Sequence, residues 1–212
     1  MSSDTATQDA SEGASAIERY YRLHSRIYDA TRWSFLFGRK VIVDRLAQHS
    51  NPSRILEVGC GTGMNLSRLA LRFPKAQITG VDLSDVMLDV ARKKMAPFGD
   101  RVALERRCYD SPLNEGGFDV VLFSYALSMF NPGWIDAIEA AKADLCEGGQ
   151  IAVVDFHDSP VPAFKRWMGV NHVRMDGHLL PSLQSGFKTT VSEIHNAYGG
   201  LWKYALHIGS KG

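Results

Sequence analysis

The chain has 212 residues, 45% of them hydrophobic, and a formal net charge of +1. That length suits one domain with a sizeable core, and the balanced charge excludes a protein whose overall field gathers nucleic acid. Cys60, Cys108 and Cys146 form neither a disulfide framework nor a metal-ligand spacing, so reduced, buried thiols in a cytosolic protein are expected.

From the amino terminus, residues 1–15 are mostly Ser, Thr, Ala, Asp and Gln with no apolar core of a signal peptide, and read as a disordered tail. Residues 16–50 read as a helical cap. Ile17, Tyr20, Tyr21, His24, Ile27 and Tyr28 recur at helical spacing, with Arg19, Arg22 and Arg26 on another face. Seven basic residues and three acids between Glu18 and Arg45 leave a local net charge of +4, with Trp33, Phe35, Leu36 and Phe37 among them. A basic, aromatic, amphipathic segment of this kind is a membrane-surface element or a lid with solvated arginines, and one segment can be both. No apolar run approaches the roughly 18 residues needed to cross a bilayer.

The core is read as residues 51–212, organised around Arg54-Ile-Leu-Glu-Val-Gly-Cys-Gly-Thr-Gly-Met-Asn-Leu66. Ile55, Leu56 and Val58 make a strand covered on both faces, and Gly59, Gly61 and Gly63 turn the backbone into a helix ending near Phe73-Pro74. A dinucleotide fingerprint would place its third glycine where Met64 stands, and a P-loop would need a Lys-Ser/Thr pair that is missing. The next apolar run ends in Asp82, 21 residues after Gly61, where α/β nucleotide folds place the acid that accepts from ribose hydroxyls.

Ser84 and Asp85 then cap a helix that stops before Pro97. Residues 101–108 form a third strand, with Asp110 beyond its carboxyl end as a candidate acceptor for an adenine amino group. Phe118–Phe123 is a fourth strand, and Ser124 and Tyr125 leave its carboxyl end. A helix from Trp134 to Leu145, a turn at Glu147-Gly148-Gly149 and a fifth strand, Gln150 to Phe156, follow. The carboxyl third carries His172 and His178 in an insert, no metal-ligand spacing, and a closing antiparallel pair, Phe187–His195 and Trp202–Ile208, with Tyr198 between them as a candidate pocket residue.

The E-x-G-x-G-x-G run, Glu57 to Gly63, resembles the first motif of class I S-adenosylmethionine methyltransferases. The resemblance implies an α/β, Rossmann-like fold: a mostly parallel seven-stranded sheet, helices on both faces and an amino-terminal helical cap. It implies S-adenosylmethionine as methyl donor and S-adenosylhomocysteine as product. Glu57, Gly59, Gly61 and Gly63 would shape the methionine end, Asp82 would hold the ribose, and Leu83, Met87 and Asp110 would surround the adenine. Arg39 would pair with the donor carboxylate, Ser124 would border the cofactor, and Tyr28 would close over the sulfonium. Tyr125, with Tyr21 or His24, would position the acceptor.

The string Tyr28-Asp-Ala-Thr-Arg-Trp-Ser-Phe-Leu-Phe-Gly-Arg39 resembles the amino-terminal motif of the diacylglyceryl-homoserine N-methyltransferases of BtaB type. These make betaine lipids and are relatives of the bacterial phosphatidylethanolamine and ubiquinone-pathway methyltransferases. With the glycine motif, the resemblance spans roughly residues 20 to 210. It implies successive methylation of a lipid amine by a cytoplasmic enzyme bound peripherally to the inner face of the membrane. Phosphatidylethanolamine, a small amine or a quinone precursor is the alternative acceptor, and a non-catalytic protein that binds S-adenosylmethionine is the alternative class.

Overall fold

The computed structural model describes residues 36–212. Seven strands form one sheet: β1 (Arg54–Val58), β2 (Gln77–Asp82), β3 (Val102–Arg106), β4 (Phe118–Ser124), β5 (Leu145–Asp158), β6 (Lys188–Ala197) and β7 (Trp202–Ser210), in the order β3-β2-β1-β4-β5-β7-β6. The first five pair in parallel, whereas β7 runs antiparallel to both β5 and β6. This is the expected Rossmann-like, mostly parallel seven-stranded sheet; residues 1–35, read as a tail and the start of a cap, lie outside the described residues. The central strands are apolar on both faces because helices cover both: Ile55, Leu56, Val58, Val120, Val121, Leu122 and Phe123 are all buried.

Among the described residues six α-helices accompany the sheet: α1 (Arg39–His49), α2 (Met64–Arg72), α3 (Asp85–Met95), α4 (Trp134–Asp144), α5 (Pro162–Val170) and α6 (Leu179–Gly186). One core cluster joins Val58, Val121, Phe123 and Val153 to Ala137, Ile138 and Ala141 of α4 and to Leu179 and Leu183 of α6. The alternate strand positions face the other way, where α1 packs on α2 and α2 on α3. Helix α1, which falls within the expected cap, buries Ile42, Val43 and Leu46 in the same unit as the sheet. It begins at Gly38, whose φ of 78° and closeness to Tyr204 (2.7 Å from an added Cβ) leave room for no larger residue. Ser84 caps α3 as expected, its Oγ accepting from the Met87 N–H at 3.4 Å.

Three local readings are corrected. Leu145 to Gly149 belong to β5, not to a helix end and turn. Gly148, at φ 73°, lets the strand bulge, and the register against β4 slips between Phe118 and Val120. The third strand stops at Arg106, two residues early, because its partner β2 ends at Asp82; the last bond of the ladder runs from the Arg107 N–H to the Asp82 carbonyl. Cys108 is exposed, whereas Cys60 is buried and Cys146 half-buried.

Candidate active site

The glycine turn leaves β1 with its backbone anchored on the neighbouring strand. Gly59 and Cys60 both donate to the Val81 carbonyl, at 2.9 and 3.0 Å. Gly59, Gly61 and Gly63 have φ values of 68°, 55° and 74°. A Cβ on Gly59 would stand 2.8 Å from the Ala126 Cβ, and one on Gly63 3.2 Å from the Ala91 Cβ, whereas Gly61 faces open space. The outer glycines therefore let the turn pack against the β4 exit and α3, and the middle one leaves a ligand room.

Under this turn lies a buried polar set. Glu57 is fully buried and its Oε2 has no hydrogen-bond partner. Asn65, on the first turn of α2, accepts from Arg68 Nη1 at 2.8 Å through Oδ1, while its buried Nδ2 has no partner. Burial pushes the Glu57 carboxyl up to about 8 against the pull of the Arg39 guanidinium and the Asn65 amide, so the group is protonated at neutral pH. Arg39 Nε donates to Ser124 Oγ at 3.2 Å, tying α1 to the β4 exit. A buried acid oxygen and a buried amide N–H, both unsatisfied, are costly unless a ligand meets them. They suit a molecule bearing an ammonium and a carboxylate on one carbon, and the ammonium would draw Glu57 back to its ionised form.

Asp82 joins the turn to β2. Its Oδ2 accepts from the Gly61 N–H at 2.8 Å and its Oδ1 from the Ser84 N–H at 2.9 Å. A carboxylate offers about four lone-pair sites, so one such group can serve backbone donors and ribose hydroxyls together. Beside it, Leu83 is exposed and Met87, on the first turn of α3, is buried. Asp110 is exposed and accepts from Ser111 Oγ at 3.3 Å. Its neighbour Tyr109 turns inward and donates to Asp144 Oδ2 at 2.7 Å.

Tyr125, expected to position the acceptor, is packed into the interior. It is 1% exposed, holds a φ of 57° rare for a bulky residue, and donates its hydroxyl to the Phe37 carbonyl at 2.7 Å. Its ring meets Phe156 edge-on at 4.7 Å and Trp202 at 6.5 Å. Such a side chain braces the β4 exit. Tyr125→Phe is expected to lower stability by about 1 kcal/mol and to change turnover less than tenfold. A loss above 100-fold with an unchanged melting temperature would return Tyr125 to the acceptor.

Tyr21, His24 and Tyr28 lie outside the described residues. Tyr198 is exposed, 5.2 Å edge-on from Phe37. His172 is exposed at φ 61°. His178 packs edge-on against Trp134 at 4.8 Å, and its Nδ1 bonds Asp176 Oδ1. The sequence reading missed Asn65 and Asp155. Asp155 is an acid inside the apolar run of β5, which was its visible signal. It is buried, its Oδ2 accepting from the Ser128 N–H at 3.1 Å and its Oδ1 from the Phe156 N–H at 2.8 Å, so it holds the β4 exit from below.

Residues 55–149 match the family model described as a methyltransferase domain. They form a class I S-adenosylmethionine-dependent methyltransferase domain. The chain is 31% identical over 157 residues to the malonyl-[acyl-carrier protein] O-methyltransferase of Geobacter sulfurreducens, covering 72% of this chain and 53% of that protein. It is 33% identical over 143 residues to the demethylmenaquinone methyltransferase of Thermus thermophilus, covering 65% and 64%. In these matches the chain spans about half to two thirds of the relatives' length. In fold it is similar to the 1,6-didemethyltoxoflavin-N1-methyltransferase of Burkholderia thailandensis, solved with S-adenosylhomocysteine, at TM-score 0.73 and 16% identity over 94% of this chain and 89% of that one.

The unsatisfied atoms fit the cofactor of this class. Glu57 and Asn65 would hold the amino-acid end of S-adenosylmethionine and Asp82 its ribose, with Leu83 and Met87 beside the base. When bound, the cofactor supplies an electrophilic methyl group on a sulfonium. Among the described residues no group of His, Cys, Asp and Glu is placed to hold a metal ion.

Proposed function

We propose that the protein transfers the methyl group of S-adenosylmethionine to the amino nitrogen of a diacylglyceryl-homoserine head group and repeats the transfer to the trimethyl form. The observation that carries the methyl-transfer part is the buried Glu57 Oε2 and Asn65 Nδ2, two polar atoms short of partners beneath an open Gly61. Support for the lipid part comes from the Tyr28–Arg39 string and the basic, aromatic segment around it, most of which lies outside the described residues. The nitrogen lone pair attacks the methyl carbon as the carbon–sulfur bond breaks, and the bonding pair stays on sulfur. The first two transfers each release a proton to water; the third leaves a quaternary ammonium. An amine with pKa near 8 is about one-tenth neutral at pH 7, so the chain's task is to align that form and keep water out.

A quinone precursor is the second reading, favoured by the likeness to the Thermus thermophilus enzyme. In either case the protein would work on the cytoplasmic face of a membrane; no described helix is long and apolar enough to cross one. The test is mass spectrometry after incubation with deuteromethyl-labelled cofactor and vesicles containing either acceptor. Three labelled methyl groups on the homoserine lipid are expected. Label on demethylated menaquinol alone would establish the second reading, and label on neither would overturn both.

A further inference from the structure

Helix α5 wears its apolar side outward. Of its nine residues only Met168 is buried. Ala163, Arg166, Trp167 and Val170 recur at i, i+3, i+4 and i+7, which places them on one face. On that face Trp167 is 53% and Val170 73% exposed. Val161, just before the helix, is exposed as well. On the helix flank Lys165 is tied to Asp158 at 2.7 Å.

Ser159 extends this surface to the β6–β7 turn. Its Oγ donates to the Leu201 carbonyl at 2.6 Å and accepts from the Val161 N–H at 3.1 Å. The start of α5 is thereby fastened to the turn in which Tyr198 and Leu201 are also exposed. The result is an apolar, aromatic rim at the end of the sheet where β5 finishes and β7 begins. Arg166 and Lys203 stand on it, both exposed and neither ion-paired among the described residues. Clustered exposed apolar side chains mark an interaction surface. Aromatic and aliphatic tips beside unpaired cations match the boundary of an anionic bilayer, where the tips sink to the acyl level and the cations meet phosphates.

We infer that the rim of Val161, Trp167, Val170 and Leu201, with Arg166 and Lys203, docks on an anionic lipid surface. This deepens the lipid-acceptor reading and rests on it. The chain's net charge of +1 gives little general attraction, so the docking is local to these side chains.

The test is co-sedimentation of the full chain with vesicles of phosphatidylcholine alone or mixed with phosphatidylglycerol. The wild type is expected to favour the anionic vesicles at least tenfold. A Val161→Ser, Val170→Asp, Arg166→Gln variant, altered only at exposed positions, should lose at least tenfold in that binding and keep its melting temperature. It should also keep its turnover on a short-chain, water-soluble homoserine acceptor. Unchanged vesicle binding in the variant would overturn the inference. So would a wild type indifferent to anionic lipid, or a wild-type dimer abolished by the variant without vesicle binding. Vesicle binding lost as expected, with no methyl transfer by wild type to any lipid amine, would keep the docking surface and remove the acceptor reading.

Discussion

Asp82→Ala is expected to weaken S-adenosylmethionine binding at least 100-fold by calorimetry, with the sheet intact by circular dichroism. Two effects combine. The first is loss of the proposed ribose contact. The second is loss of the bonds from the Gly61 and Ser84 N–H groups, which hold the glycine turn and the start of α3 in one geometry. Hydrogen bonds to a charged group are worth about 1.5–3 kcal/mol each, and 100-fold in affinity is about 2.7 kcal/mol. Asp82→Asn keeps one acceptor oxygen but sets an amide N–H against a backbone donor, so it should fall between the two. Near-normal affinity in Asp82→Ala would remove Asp82 from the cofactor site.

The second large effect is on stability in acid. His207 lies in the middle of β7, opposite Val153 on one side and Ser192 on the other. It is fully buried and neither ring nitrogen has a partner. Burial pushes its pKa down to about 4, whereas in the unfolded chain it titrates near 6.5. Between these values the unfolded chain takes up a proton that the folded protein refuses. The stability held above pH 6.5 therefore drains away as the pH falls toward 4, by about 3 kcal/mol in total. Urea unfolding at pH 7.5 and pH 4.5 should show this loss in the wild type and a smaller one in His207→Leu, which cannot charge. Equal losses in both proteins would assign the acid sensitivity to other groups.

Most of the sheet was legible because buried parallel strands announce themselves as short apolar runs, and Ser84 is a cap of the expected chemistry. The cofactor half of the site was legible because Glu57, the three glycines and Asp82 sit at strand ends, where sequence spacing and spatial position agree. The acceptor half was less so. Tyr125 offers the same letters whether its ring is open or packed against Phe156 and Trp202, and only the long-range pairing of β5 with β7 decides between them. Helix α5 was harder to read because it is only nine residues long, starts at a proline and carries Gly169 in its last turn, so its apolar positions make a short and interrupted pattern. At Glu147-Gly148-Gly149 the glycines read as a turn, but the strand absorbs them in a bulge.

The position of β7 also governs how the molecule can be made. It follows every other strand in the chain, yet lies between β5 and β6 and brings Trp202 and Tyr204 beneath Tyr125 and Gly38. On a ribosome adding about 5–20 residues per second, strands β1 to β5 can associate while residues 202–210 are still unmade. Throughout that interval β5 is an open edge, able to pair with a foreign strand. The aromatic floor under the β4 exit is missing for the same interval. The floor of the β4 exit therefore closes in a single late step, and a nascent chain arrested before Trp202 carries an uncovered strand edge.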